Sequence, residues 1–102
     1  MSKTLPAITD ELIKKLKSEN KKLFRYDTAD GRSLIFRSPT IAEIEASTTL
    51  ANTKPIQSNR VLANSCALAG DSSILEDTDA FIGLSMKLKN IIVQVEGELS
   101  EL

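Results

Sequence analysis

Apolar residues recur at three- to four-residue spacing near the start of the chain, which predicts an amphipathic helix. Thr9 or Asp10 can cap this helix, and the pattern runs to about Asn20. The apolar face is narrow, so the helix needs to dock on the rest of the fold to be stable. It consists of Leu12, Ile13 and Leu16. Residues 1–8, which precede the helix, are predicted to form a flexible tail.

The apolar spacing then changes to a pattern that favours β-structure. Leu23–Thr28 and Ser33–Arg37 are rich in β-prone residues, and Asp30-Gly31 lies between them. An Asp-Gly pair between two such runs is a strong hairpin signal, so we predict a β-hairpin over residues 23–37. Two strands alone are not stable in water, so helices or a partner's sheet must cover the apolar face of the hairpin.

A sharp boundary between strand and helix follows the hairpin. Ser38 precedes Pro39 and is therefore biased towards an extended backbone. Thr40 is predicted to cap a second helix that runs to about Ala51, with Glu43 completing a capping box. We interpret this junction as a structural corner without catalytic chemistry.

Two more helices are predicted after this corner. Pro55 suits a first helical position, so a third helix should run from there to about Ala69, with Gly70 as its cap. After a loop, a final helix is predicted from Thr78 to Leu99, about 33 Å long. The predicted fold is α+β and predominantly α, with residues 40–99 as its helical part. All 102 residues belong to one domain.

The predicted final helix carries two apolar faces. A broad stripe, expected to face the core, contains Phe81, Leu84, Leu88, Ile91, Ile92, Val95 and Leu99. A narrower cluster of Ile82, Met86 and Val93 falls on another side. One interpretation is that the helix is simply well buried. The other is that the narrow cluster, or the acidic C-terminal end of the stripe, contacts a partner or another copy. The candidate partner-binding residues are Ile82, Met86, Val93, Val95 and Leu99.

Composition argues against enzymatic chemistry. The chain has no histidine, which removes the usual general base at neutral pH and the commonest metal ligand. Cys66 is the single cysteine and lies in an apolar helical pattern, so we expect a core thiol. No phosphate-binding or metal-ligand spacing is present, so no cofactor or metal is expected. A non-enzymatic protein of a reducing compartment, the cytoplasm, is predicted.

Charge gives little support for nucleic-acid or membrane binding. The net charge is −1, and the longest apolar run, Ile91-Ile92-Val93, is far too short to span a bilayer. Basic residues do cluster between Lys14 and Arg25. We interpret them as a solvated helix face, and a nucleic-acid-binding regulator is the alternative that this cluster leaves open.

The order of features from about residue 23 to residue 100 resembles small bacteriophage tail assembly chaperones. The resemblance begins with Phe36-Arg37-Ser38-Pro39-Thr40 entering a helix that contains Glu43. It continues through Leu62–Leu68, Ala69-Gly70-Asp71, an acidic turn and an acidic-ended last helix.

The resemblance implies a cytoplasmic, non-enzymatic protein of virion assembly. Such a protein binds apolar stretches of the helical tape measure protein, keeps it soluble until the tail tube forms, and can oligomerise. The alternative is a small virion or prophage structural protein that self-assembles.

Overall fold

The computed structural model of the chain describes residues 4–20, 22–92 and 97–102. Helices and a small antiparallel sheet are mixed in one fold, which confirms the predicted α+β class. Two short 3₁₀ helices, Ser72–Leu75 and Leu88–Ile91, supplement the main elements. The main elements are α1 (Asp10–Glu19), β1 (Leu23–Asp27), β2 (Ser33–Arg37), α2 (Ile41–Ala51), α3 (Pro55–Cys66), β3 (Ala67–Gly70) and α4 (Thr78–Ser85).

The first two strands form the predicted hairpin. They pair in antiparallel register, with Phe24 opposite Phe36 and Tyr26 opposite Leu34. Gly31 occupies the turn with a φ of 91°, a conformation that glycine adopts without the steric cost of a Cβ. In β2, the side chains of Leu34 and Phe36 lie on one face of the sheet and are almost completely buried.

A third strand, which the sequence did not reveal, corrects the prediction that the third helix continues to Ala69. Helix α3 ends at Cys66, and β3 then pairs with β2. Gly70 makes this pairing possible: its φ is 118°, and a Cβ there would lie 2.2 Å from the Ser33 carbonyl oxygen. The side chains of Ala67 and Ala69 are small enough to be buried against the sheet. Helix propensity is therefore overridden by tertiary pairing.

The segment before α1 contacts the sheet within its described part. Leu5 packs against the hydrophobic core. The Gly70 N–H donates a hydrogen bond of 2.8 Å to the Pro6 carbonyl oxygen, at the edge of β3 that faces away from β2. These contacts tie part of the predicted tail to the fold. Helix α1, by contrast, has no fully buried residue, which agrees with its narrow apolar face.

One hydrophobic core lies between the sheet and the later helices. The sheet contributes Leu34 and Phe36, and α3 contributes Leu62 and Cys66. The loop after β3 adds Ile74 and Leu75, both fully buried, and the last part of the chain adds Phe81, Leu84, Leu88 and Ile91. This core fixes the orientation of α4, which positions the candidate site.

The prediction of one helix from Thr78 to Leu99 is wrong. Helix α4 ends at Ser85, a 3₁₀ turn follows at Leu88–Ile91, and residues 97–102 are not helical. Leu88 and Ile91 still reach the core after the break, at 1% and 4% exposure. A straight helix of about 33 Å would carry its last turns beyond so small a core. No helix in the described part of the chain has the length and apolar character needed to cross a membrane.

Candidate partner-binding site

Two predicted partner-binding residues form an exposed apolar patch at the end of α4, with Ile82 inside the helix and Met86 as the C-cap residue that follows Ser85. Asp77 caps this helix by accepting a hydrogen bond from the Asp79 N–H at 3.2 Å. Phe81 and Leu84 face the core, which turns Ile82 and Met86 outwards with 49% and 74% of their surfaces exposed. Residues four apart lie on the same side of a helix. We call Ile82 and Met86 the outer face of α4.

Contacts on the other sides of α4 hold this outer face in place. The Tyr26 hydroxyl oxygen lies so close to Gly83 that a Cβ at that glycine would be 3.1 Å from it. The guanidinium carbon of Arg60 lies 4.5 Å from the centre of the Phe81 ring, in a cation–π arrangement. Arg60 also donates a hydrogen bond to the Leu75 carbonyl oxygen. The helix is therefore fixed to the sheet and to α3, and its outer face is presented by a packed scaffold.

The other three candidate residues do not extend this patch as predicted. Leu99 lies in the non-helical segment 97–102 and is 100% exposed. The helical spacing that grouped it with the others does not apply there. Val93 and Val95 lie outside the described residues. The structure thus places Ile82 and Met86 together on one helical turn and Leu99 in a separate exposed segment.

A second feature, an apolar groove beside β1, is not predicted by the sequence. It has a volume of about 330 Å³ and runs between the sheet, the end of α4 and the second 3₁₀ helix. Lys87 and Arg25 contribute basic groups to its lining. Its apolar lining consists of Phe24, Tyr26, Phe36, Leu84, Leu88 and Ile91. The prediction of a straight last helix hid this groove, because the groove exists only where the chain bends after Ser85.

The corner between β2 and α2 contains a bidentate ion pair. Arg37 donates to both carboxylate oxygens of Glu43, at 2.7 and 2.6 Å, and to the Ser65 carbonyl oxygen at 2.8 Å. Glu43 also accepts from the Thr40 N–H at 2.8 Å, which completes the predicted capping box. Hydrogen bonding to Arg37 is the main cause that lowers the pKa of Glu43 to about 2. The Arg37–Glu43 ion pair therefore connects β2 to α2, and Arg37 also connects both to α3. This arrangement fits a structural role.

A second charged cluster connects the hairpin turn to the start of α4. Arg32 lies 2.6 Å from Asp30 and 3.0 Å from Asp77, and it donates to the Ser73 hydroxyl at 3.1 Å. Hydrogen bonding to Arg32 is the largest cause that lowers the pKa of Asp30 to about 2, and the same pair raises the pKa of Arg32. Asp30 and Arg32 stay charged around neutral pH, so the cluster holds the turn against α4 and is poorly suited to proton transfer.

The remaining chemistry-bearing side chains are placed as follows. Cys66 is fully buried, which confirms the predicted core position of its thiol. Within residues 4–20, 22–92 and 97–102, no three Cys, Asp or Glu side chains converge in an arrangement that could hold a metal ion. The outer face of α4 and the groove beside β1 are therefore the apolar features that we consider as binding surfaces, besides single exposed residues such as Ile41 and Ile56.

Comparison of the chain with protein-family models, with curated proteins and with solved structures found no match. The family resemblance of residues 23–100 therefore stays a prediction.

Proposed function

We propose that this protein is a non-enzymatic phage tail assembly chaperone. In this role it binds apolar helical segments of a tape measure protein in the cytoplasm of the bacterial host, without a cofactor. The observation that carries the proposal is the outer face of α4, where Ile82 and Met86 are 49% and 74% exposed, while Phe81 and Leu84 anchor the helix in the core. An exposed Met beside a branched aliphatic side chain suits the binding of varied apolar helices, because the thioether adapts to different shapes.

The size of this patch defines how such a chaperone would work. Burying an exposed aliphatic side chain contributes about 1.5–3 kcal/mol, and these two residues are already partly buried, so one contact supplies roughly 2–4 kcal/mol. A dissociation constant of 1 mM corresponds to about 4.1 kcal/mol, so a single contact would be weak. Monomers bound separately along one long helix would each keep this weak affinity, because multivalency requires that the binding copies be joined to one another. The proposed action is therefore a coat of many weakly bound copies.

Co-expression with the tape measure protein encoded in the same phage tests the proposal. The soluble fraction of the tape measure protein is measured with and without this chain. We expect a clear increase in the soluble fraction when this chain is present, together with co-purification of the two proteins. An equally insoluble tape measure protein in both cultures would refute the proposed function.

A charge substitution on the outer face identifies the surface involved. Met86→Glu should abolish the solubilising effect while leaving the unfolding temperature unchanged, because Met86 is 74% exposed. Ile41→Glu is the matched control, since Ile41 is 77% exposed at the start of α2, on a different element. If both variants lose activity equally, general surface hydrophobicity is responsible. Loss of folding in Met86→Glu would assign this residue to the core.

A self-assembling virion structural protein is the second candidate function. It is favoured by Leu99 and Leu102, which are fully exposed in the segment 97–102, and by the open groove beside β1. Purified virions distinguish the two functions. An assembly chaperone is absent from mature particles, whereas a structural protein is present there in a fixed number of copies.

A further inference from the structure

One edge of the sheet, beside the apolar groove, has no pairing strand within the described residues. The strand order is β1-β2-β3, so β1 is an edge strand, and no strand within the described residues pairs with its outer side. In an antiparallel pair, every second residue directs its N–H and C=O groups away from the partner strand. The edge of β1 therefore presents backbone donors and acceptors, which is the arrangement that an added peptide strand uses.

The groove beside this edge has an apolar floor and basic groups in its lining. Phe24 and Phe36 contribute to the floor from the sheet, and Leu88 contributes from the second 3₁₀ helix. Lys87 enters the lining from the turn after α4, and it has no carboxylate within ion-pair distance among the described residues. Arg25, in β1, also lines the groove, and it forms a salt bridge of 3.0 Å with Asp27. The chemistry of the groove thus suits a peptide that carries both apolar and acidic side chains.

The segment 97–102 of the chain has this composition. It reads Gly-Glu-Leu-Ser-Glu-Leu and is not helical. Leu99 is 100% exposed, so the segment does not occupy the groove of its own chain in the structure. In an extended conformation its six residues span about 20 Å, close to the length of the five-residue strand β1.

We propose that the segment 97–102 of one copy docks as an added strand on the β1 edge of a second copy. Leu99 occupies the apolar groove. Side chains alternate between the two faces of a strand, so Glu101 lies on the same face as Leu99 and meets Lys87. Glu98 lies on the opposite face, on the side of Arg25. Each copy offers one segment and one groove, so the contact either closes in a reciprocal dimer or propagates head-to-tail.

Sedimentation equilibrium of the full chain tests this association. We expect reversible, concentration-dependent self-association of the wild-type chain. Leu99→Asp should weaken it by about tenfold or more, because the buried leucine side chain is lost from the contact. Ile41→Asp, which removes another exposed apolar residue outside the groove, should leave the association constant unchanged. A monomeric wild-type chain at all accessible concentrations, or equal association of Leu99→Asp and wild type, would overturn the proposal.

A charge-reversal pair separates docking between copies from docking within one chain. Lys87→Glu and Glu101→Lys should each weaken association by about three- to tenfold, because like charges then meet in the contact. An equimolar mixture of the two variants should recover association, since each groove then meets a complementary segment from the other variant. Both positions are exposed, so both variants should fold, which circular dichroism would test. No recovery of association in the mixture would contradict the proposal, because the charge contact would then not form between copies.

This inference is independent of the proposed chaperone function. Met86 does not line the groove, so Met86→Glu should leave self-association unchanged while abolishing tape measure binding. Leu99→Asp should have its main effect on self-association. The two proposals can therefore fail separately.

Discussion

Glu43→Gln is expected to destabilise the protein by removing one charge from the corner between β2 and α2. The substitution preserves the size of the side chain, and its amide oxygen can still accept from the Thr40 N–H. It removes the negative charge that Arg37 contacts at 2.7 and 2.6 Å. Arg37 still donates a hydrogen bond to the Ser65 carbonyl oxygen, so its guanidinium keeps one of its partners.

The pKa of Glu43 gives the size of this effect. Its pKa falls from an ordinary value of 4.5 to about 2, mainly through the hydrogen bonds from Arg37. At about 1.36 kcal/mol per pKa unit, this sets an upper limit of roughly 3.4 kcal/mol. The side chains of Arg37 and Glu43 are 25% and 22% exposed, so solvent screens the pair. We expect a loss of about 1–2 kcal/mol in the free energy of unfolding at pH 7.

The pH dependence shows whether charge is the cause. Because the pKa of Glu43 is lower in the folded protein than in the unfolded chain, its contribution is fully present above pH 4.5 and disappears as the pH falls through about 2. Urea denaturation of wild type and Glu43→Gln should therefore give a constant difference from pH 7 to about pH 5. The difference should shrink towards zero between pH 4.5 and pH 2.

Glu45→Gln is the control for this experiment. Glu45 is exposed on the same helix, so its substitution should change the free energy of unfolding by less than about 0.5 kcal/mol. If the loss in Glu43→Gln were as large at pH 2 as at pH 7, it would arise from altered capping geometry. The charge-based explanation would then be refuted.

Two further substitutions test the packing of the fold by urea denaturation. Gly70→Ala should cost about 2–4 kcal/mol, because its φ is 118° and the added Cβ would lie 2.2 Å from a backbone oxygen of β2. Gly31→Ala is its control: its φ is 91° but its surroundings are open, so a loss near 1 kcal/mol is expected, and equal losses would refute the steric argument. Leu84→Ala should cost about 2–5 kcal/mol through a cavity in the core. Ile82→Ala on the same helix should cost less than about 1 kcal/mol, and a comparable loss would show that the outer face of α4 is buried.

Local signals in the sequence were sufficient for the hairpin and for the start of α2. Asp30-Gly31 specifies a tight turn with a positive φ at the glycine, and the flanking residues are β-prone. Thr40 and Glu43 satisfy each other's backbone groups whatever the rest of the chain does. Such features depend on residues only a few positions apart, so pattern and propensity predict them well.

Features that depend on distant contacts could not be predicted in this way. The segment Ala67–Gly70 has ordinary helix-forming residues at its start, and only its pairing with β2 makes it a strand. The last helix keeps its apolar spacing beyond Ser85, but the chain bends there, and Leu88 and Ile91 are still buried. In both places tertiary burial outweighs local helix propensity.

The candidate site likewise has a part that local spacing predicts and a part that depends on distant contacts. The helical spacing correctly separated Phe81 and Leu84, which are buried, from Ile82 and Met86, which are exposed. The predicted core stripe also holds beyond α4 at Leu88 and Ile91, which are buried in the second 3₁₀ helix. Leu99 lies beyond the bend, so its grouping with the outer face was based on a helix that the structure does not contain. The groove beside β1 depends on the bend itself and gave no local signal.

The most direct test of the proposed chaperone function is a methyl-NMR titration. Overlapping peptides from the tape measure protein are added to the full chain, and the methyl signals of Ile82 and Met86 are followed. We predict that peptides with apolar residues every three to four positions shift these two signals most, with Ile41 as an exposed reference that does not shift. Peptides that leave Ile82 and Met86 unchanged, or polar peptides that shift them equally, would contradict the proposed function of the outer face of α4.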